Sequence, residues 1–159
     1  MDFLQRLENV SWIATINSTS WMISLVWLAH YLGVFLMIGS VVFVDLRILG
    51  FAGRKYRIAQ LAGLLFPLSW TGFCFVLASG FIMFAGQART FYIAPFFALK
   101  MAELAVALVV GVVVQRKVPQ WDRLTAIPAG AKWVAFVSLV LWIGAILAAL
   151  EVPAFTAGI

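Results

Sequence analysis

Four stretches of this sequence are each long and apolar enough to cross a lipid bilayer, and nothing else in it restricts the fold so strongly. A spanning helix needs ~20 predominantly apolar residues to cover the ~30 Å hydrocarbon core. Segments at about 21–44, 58–86, 93–114 and 131–150 meet that requirement. In lipid no water is available to the backbone, so a spanning segment must satisfy its own N–H and C=O groups. These runs are too long and continuous for barrel strands, so they are expected to be helices. Hydrophobic residues make up 65% of the chain and charged residues only 11%, whereas a soluble domain of this size is about half apolar and a quarter charged. The expected fold is therefore all-α, one integral membrane four-helix bundle over residues 1–159. The second segment is longer than needed and contains Pro67, which predicts a kink, a tilt or an entry along the interface. A single cysteine, Cys74, excludes an intrachain disulfide and a cysteine-based metal site.

Ahead of the first span, Phe3, Leu4, Leu7 and Val10 recur at helical spacing, which predicts a short amphipathic interfacial helix at about 2–14. The acid at position 2 and the lack of a basic flank predict that this segment is not a cleaved signal peptide. A net charge of +5 would point to nucleic acid in a soluble protein, but here the basic residues lie between the apolar runs and no nucleic-acid partner is expected. The first connection carries Arg47, Arg54, Lys55 and Arg57, and the third carries Arg116, Lys117, Arg123 and Lys132. The opposite side has only Arg6 and Arg89. The positive-inside rule then puts both of those connections in the cytoplasm and both termini on the periplasmic side of a bacterial inner membrane, as a multi-pass protein.

The remaining basic residue, Lys100, lies inside the third span, and the only histidine, His30, lies inside the first, in "WLAHYLGVFLMIGS". Charge at the bilayer centre costs ~2.5–3.5 kcal/mol on insertion scales, so such residues are functional candidates by default. Counted from their span starts, His30 is about nine residues in, roughly 13 Å, and Lys100 about seven, roughly 10 Å. Both spans start on the same side, so two expensive groups on different helices share one level. Glu103 follows Lys100 by three residues and shares roughly its face, where the two could neutralise each other. Asp45, Arg47 and Glu151 fall at span ends. There Arg47 can snorkel to one surface and Glu151 can reach the other. The structural alternatives are that Lys100 snorkels outward, that His30 bonds a backbone carbonyl as packing glue, and that Lys100 and Glu103 only hold the helices together.

Gly33, one turn beyond His30, removes bulk beside the imidazole, which suits either close helix packing or a flat ligand against the backbone. The antiparallel helices present "CFVLASGFIMF" and "LWIGAIL" at this level, with Gly80 and Gly144 as points of close approach. Such an aromatic, small and apolar lining fits a planar hydrophobic cofactor better than a hydrated pore. Haem iron can be held by His in an apolar pocket. With one histidine per chain, a bis-histidine site within one subunit is impossible. His30 would ligate alone, with deprotonated Lys100 or a methionine, or with the His30 of a second subunit. Zinc and copper lack their usual ligand sets here, and a proton relay through His30, Lys100 and Glu103 remains an alternative.

The segments "AHYLGVFLMIGSVVFVDLRILG", "LLFPLSW" and "APFFALKMAELAV" resemble those of a family of small bacterial four-helix inner-membrane proteins. More distantly the chain is similar to the HemJ-type protoporphyrinogen oxidases and the copper-resistance-D-like membrane proteins. His30, Gly33 with Gly39, Arg47 and Lys100 occupy the places that carry the HemJ-type pattern. By this resemblance His30 would ligate haem b and Lys100 would be its partner at the same site. Arg89, at the outer end of the second span, would be placed to meet propionates. The expected function is electron transfer or a tetrapyrrole-linked oxidation, with a quinone or another redox protein as partner. The alternatives are a transporter or channel-like oligomer with a His/Lys/Glu relay, and a structural accessory subunit. Small residues at Gly111, Gly144 and Ala148 predict close contacts in a homo-oligomer.

Overall fold

The computed structural model describes the backbone of residues 3–156 and the side chains of residues 3–149. It is helical throughout: α1 (Phe3–Glu8), α2 (Ser11–Ser18), α3 (Ser20–Leu49), α4 (Ile58–Gly86), α5 (Ala88–Ile93), α6 (Pro95–Trp121) and α7 (Ala129–Thr156), with no strand among the described residues. Helices α3, α4, α6 and α7 are each long and apolar enough to cross a membrane. Many large apolar side chains face outward on them, among them Phe35, Leu64 and Val109. Such a surface suits contact with lipid rather than water.

The first long helix continues past the expected boundary at residue 44, through Asp45 and Arg47, and stops where Gly50 turns left-handed at φ 88°. A residue with a Cβ is strained in that conformation, so glycine is the natural helix terminator here. Helix α4 runs unbroken through Pro67, whose carbonyl accepts a hydrogen bond from Thr71 Oγ1 at 3.0 Å. The expected single helix at about 2–14 is instead two short ones. Val10 is extended between them, and Asn9 Nδ2 donates to the Gln5 carbonyl at 2.8 Å, offering the backbone a local alternative to continuing the helix. These helices do not stand apart from the rest. Ile13 is fully buried, and the Asn17 amide lies directly against Gly86 at the end of α4. Glu8 Oε1 accepts the Arg89 N–H of α5 at 2.9 Å, tying α1 to the far end of α4. The end covered by α1, α2 and α5 is called the capped end below. Residue 2 and the Glu151 side chain lie outside the described residues.

Helix α3 is the hub, packed along α4 on one side and against α7 on another, while α6 packs mainly on α7 and only sparsely on α4. Along α3 the partners on α4 run backwards: His30 meets Ser79, Gly33 meets Phe75 and Val76, and Met37 meets Ser69. The two helices are thus antiparallel. Their closest approach is between Gly33 and Gly72. A Cβ on Gly33 would lie 2.8 Å from the Gly72 carbonyl oxygen, and neither backbone could give way. Away from this crossing the interior separates into two apolar clusters. One, near the connections, gathers Val44, Ile48, Phe66 and Val114; the other, nearer the middle, gathers Met37, Val41, Ala107 and Trp142.

Candidate functional site

His30 is buried against α4 and makes the contact that organises the site. Its Nδ1 lies 3.0 Å from Ser79 Oγ. The Ser79 hydroxyl is one turn from the Phe75 carbonyl and donates its single proton there, as serine in apolar helices commonly does. With its proton on a backbone carbonyl the hydroxyl accepts from the imidazole, and in that arrangement Nδ1 carries the proton and Nε2 the lone pair. The Cε1–Nδ1 edge is the one pressed toward α4: a Cβ at Gly80 would sit 3.4 Å from Cε1 and 3.7 Å from Nδ1. The Val76 carbonyl faces the ring from the same helix.

Helix α6 adds Lys100, half-buried, which makes no hydrogen bond or ion pair with His30 among the described residues. Above them, toward the capped end, Phe84 of α4, Phe91 of α5 and Phe97 of α6 stack with ring centroids 5.3 to 6.4 Å apart. The cluster joins α4, α5 and α6 at the capped end.

The other residues expected at the site divide. Gly33 serves the crossing with Gly72, so of its two readings the structure shows close helix packing. Glu103 does not pair with Lys100: neither makes an ion pair or hydrogen bond with the other among the described residues. Its carboxylate turns instead toward α7, where a Cβ on Gly144 would lie 3.2 Å from Oε1, and Oε2 is buried without a partner. One helical turn separates the two residues, enough for Glu103 to meet α7 while Lys100 meets the His30 level. Arg89 is exposed on α5, held there by its backbone N–H on Glu8, and joins none of these groups.

Sequence reasoning passed over a second buried polar group. Asp45, read as a span-end residue, is fully buried because α3 extends beyond it and α7 covers it. Ser138 of α7 faces its carboxyl, and both carboxylate oxygens, the Ser138 hydroxyl and the Trp142 indole N–H are buried without a hydrogen bond. This layer lies between the two apolar clusters. A usable signal existed: Ser138 interrupts "WVAFVSLVLW" at the level that an antiparallel α7 brings to Asp45. Near Trp142 a narrow crevice of about 30 Å³ opens between α4 and α6, and neither His30 nor Lys100 lines it. Across it Trp70 Nε1 donates to Gln115 Oε1 at 3.1 Å. Among the described residues no group of three or more His, Cys, Asp or Glu converges as a metal cluster would. No family model matches the chain, and neither a curated protein nor a solved structure matches it.

Proposed function

We propose that this chain is a haem b-binding, or more broadly tetrapyrrole-binding, protein of a bacterial inner membrane, acting in electron transfer or a tetrapyrrole-linked oxidation. The observation that carries the reading is the contact of the buried His30 ring with Ser79 at Nδ1. An axial imidazole needs one ring nitrogen anchored so that the other can ligate, and Ser79 is the anchor at Nδ1 in this reading. The donor set fits one protein ligand per subunit, with Lys100 as the second ligand or as a cation for a propionate. When bound, haem supplies a reversible one-electron couple. The chain's own residues orient the imidazole through Ser79, keep water out through the Phe84, Phe91 and Phe97 cluster, and present Lys100 as the local cation.

A quinone is the partner class that such a site reaches through the membrane. The uneven packing of α6, most of whose apolar surface is uncovered in one chain, supports a homo-oligomer. The basic connections support cytoplasmic placement of that end, with both termini periplasmic. The test is the visible spectrum of detergent-purified protein from haem-supplemented cells. A Soret band is expected in the wild type and its loss in His30→Ala; no band in the wild type overturns the reading.

A second reading, a proton or ion relay, draws on Glu103 and Asp45, which place unpartnered carboxylates at successive levels below His30. Here Lys100→Met should abolish proton flux in proteoliposomes, and unchanged flux rejects the relay.

A further inference from the structure

The end of the protein opposite the capped one holds an open, surface-facing cavity of about 400 Å³ between the α3–α4 and α6–α7 connections. We propose that this cavity is a binding site for the phosphate headgroup of an anionic phospholipid. Its wall carries Arg47, Arg54, Lys55 and Arg57 against a single acid, Asp122. That acid is already used: Arg57 holds Asp122 Oδ2 through its terminal nitrogen at 2.9 Å and through Nε at 3.1 Å. Three cations are left without a counter-charge around one concavity.

The loop that presents them is held in place. Gly50 (φ 88°) and Gly53 (φ 61°) turn the chain back over the end of α3, and the Arg47 stem packs against Gly53. Arg47 Nε donates to the Tyr56 carbonyl at 2.9 Å, and Arg54 Nε donates to the Gly50 carbonyl. Each of these bonds uses Nε, so the terminal guanidinium nitrogens make none of the bonds the structure shows. Lys55 is exposed and makes no hydrogen bond or ion pair among the described residues. Ile58, the first residue of α4, also lines the cavity, which brings the positive end of a 29-residue helix to the same point.

Position favours a lipid over a soluble phosphate. The cavity lies where two apolar helices end, so a headgroup entering it leaves its acyl chains beside them. Exposed Phe51, Tyr56 and Leu124 offer apolar and aromatic surface at that level. Basic pockets beside membrane helices bind anionic headgroups by this combination of charge and depth. The proposal stands apart from the tetrapyrrole reading, since neither His30 nor Lys100 lines this cavity.

Native mass spectrometry of delipidated protein in detergent tests it, with dioleoylphosphatidylglycerol, dioleoylphosphatidylcholine and pyrophosphate titrated separately. Phosphatidylglycerol should bind in preference to phosphatidylcholine. The Arg54→Gln/Lys55→Gln double variant should weaken it, at about fivefold per charge and so roughly 25-fold in all at low salt. Asp122→Asn, which frees Arg57, should tighten it, and this opposite change guards against a misfolded double variant. Equal binding of the two lipids overturns the proposal, as does an unchanged preference in the double variant. Binding of pyrophosphate without a phosphatidylglycerol preference would assign the cavity to a soluble phosphate and overturn the lipid assignment.

Discussion

Nδ1 of His30 lies 3.0 Å from Oγ of Ser79 across the α3–α4 contact, and the hydroxyl, which also reaches the Phe75 carbonyl, is the acceptor for an imidazole N–H there. Removing the acceptor leaves a buried N–H unpaired, which costs about 1–3 kcal/mol. Ser79→Ala should therefore lower the thermal midpoint in detergent. Ser79→Thr, which keeps the hydroxyl, should restore it. In haem-loaded protein Ser79→Ala should also shift the reduction potential measured by spectroelectrochemistry, because the hydrogen bond at Nδ1 tunes the basicity of Nε2.

Gly33 and Gly72 meet backbone to backbone, so neither tolerates a methyl group. The Gly33→Ala Cβ would press on the Gly72 carbonyl oxygen at 2.8 Å. Overpacking of this kind costs about 1–3 kcal/mol, and both Gly33→Ala and Gly72→Ala should unfold at lower temperature than wild type. Gly111 and Gly63, where an added methyl group would meet nothing within 4 Å, should accept alanine without loss. Differential scanning fluorimetry of the four variants separates these outcomes.

Asp45 is fully buried with both oxygens unpartnered. Burying such a group carries a desolvation cost that the facing Ser138 hydroxyl offsets only in part, and replacing it by an apolar residue of similar size removes that cost. Asp45→Leu should raise the thermal midpoint, and Asp45→Asn should raise it less. If either lowers stability sharply, the carboxyl has a stabilising role in the fold.

The Arg57–Asp122 pair is half in water, with Arg57 68% exposed and Asp122 9%. Pairs in such surroundings contribute about 0–1 kcal/mol, and less in salt. Arg57→Gln should change stability by no more than that, measured by thermal unfolding at low and high ionic strength.

The parts of the site that were legible in the letters are those set by depth along a helix. His30 and Lys100 could be matched because each lies a countable distance from the start of a span, and Gly80 and Gly144 were marked as close approaches because small residues interrupt bulky runs. Gly80 does meet the His30 ring and Gly144 the Glu103 carboxylate. Rotation about the helix axis was not legible. Glu103 and Lys100 are one turn apart, and the sequence contains no statement of which neighbour each will meet. Asp45 was misread for a related reason. The span was drawn to end at residue 44, while the left-handed Gly50 ends the helix later and α7 then covers the carboxyl.

By itself the sequence determined four apolar helices and which of them carries each polar residue, because hydrocarbon admits only backbones that satisfy their own hydrogen bonds and only few charges. Tertiary structure alone decided that Ser79 meets the His30 ring, that Gly33 serves helix packing, that Glu103 turns from Lys100 to α7, and that the basic connections line an open cavity. These depend on the mutual rotation and approach of helices. In lipid that is set by fit between small and large side chains, a relation between distant residues that no local stretch encodes.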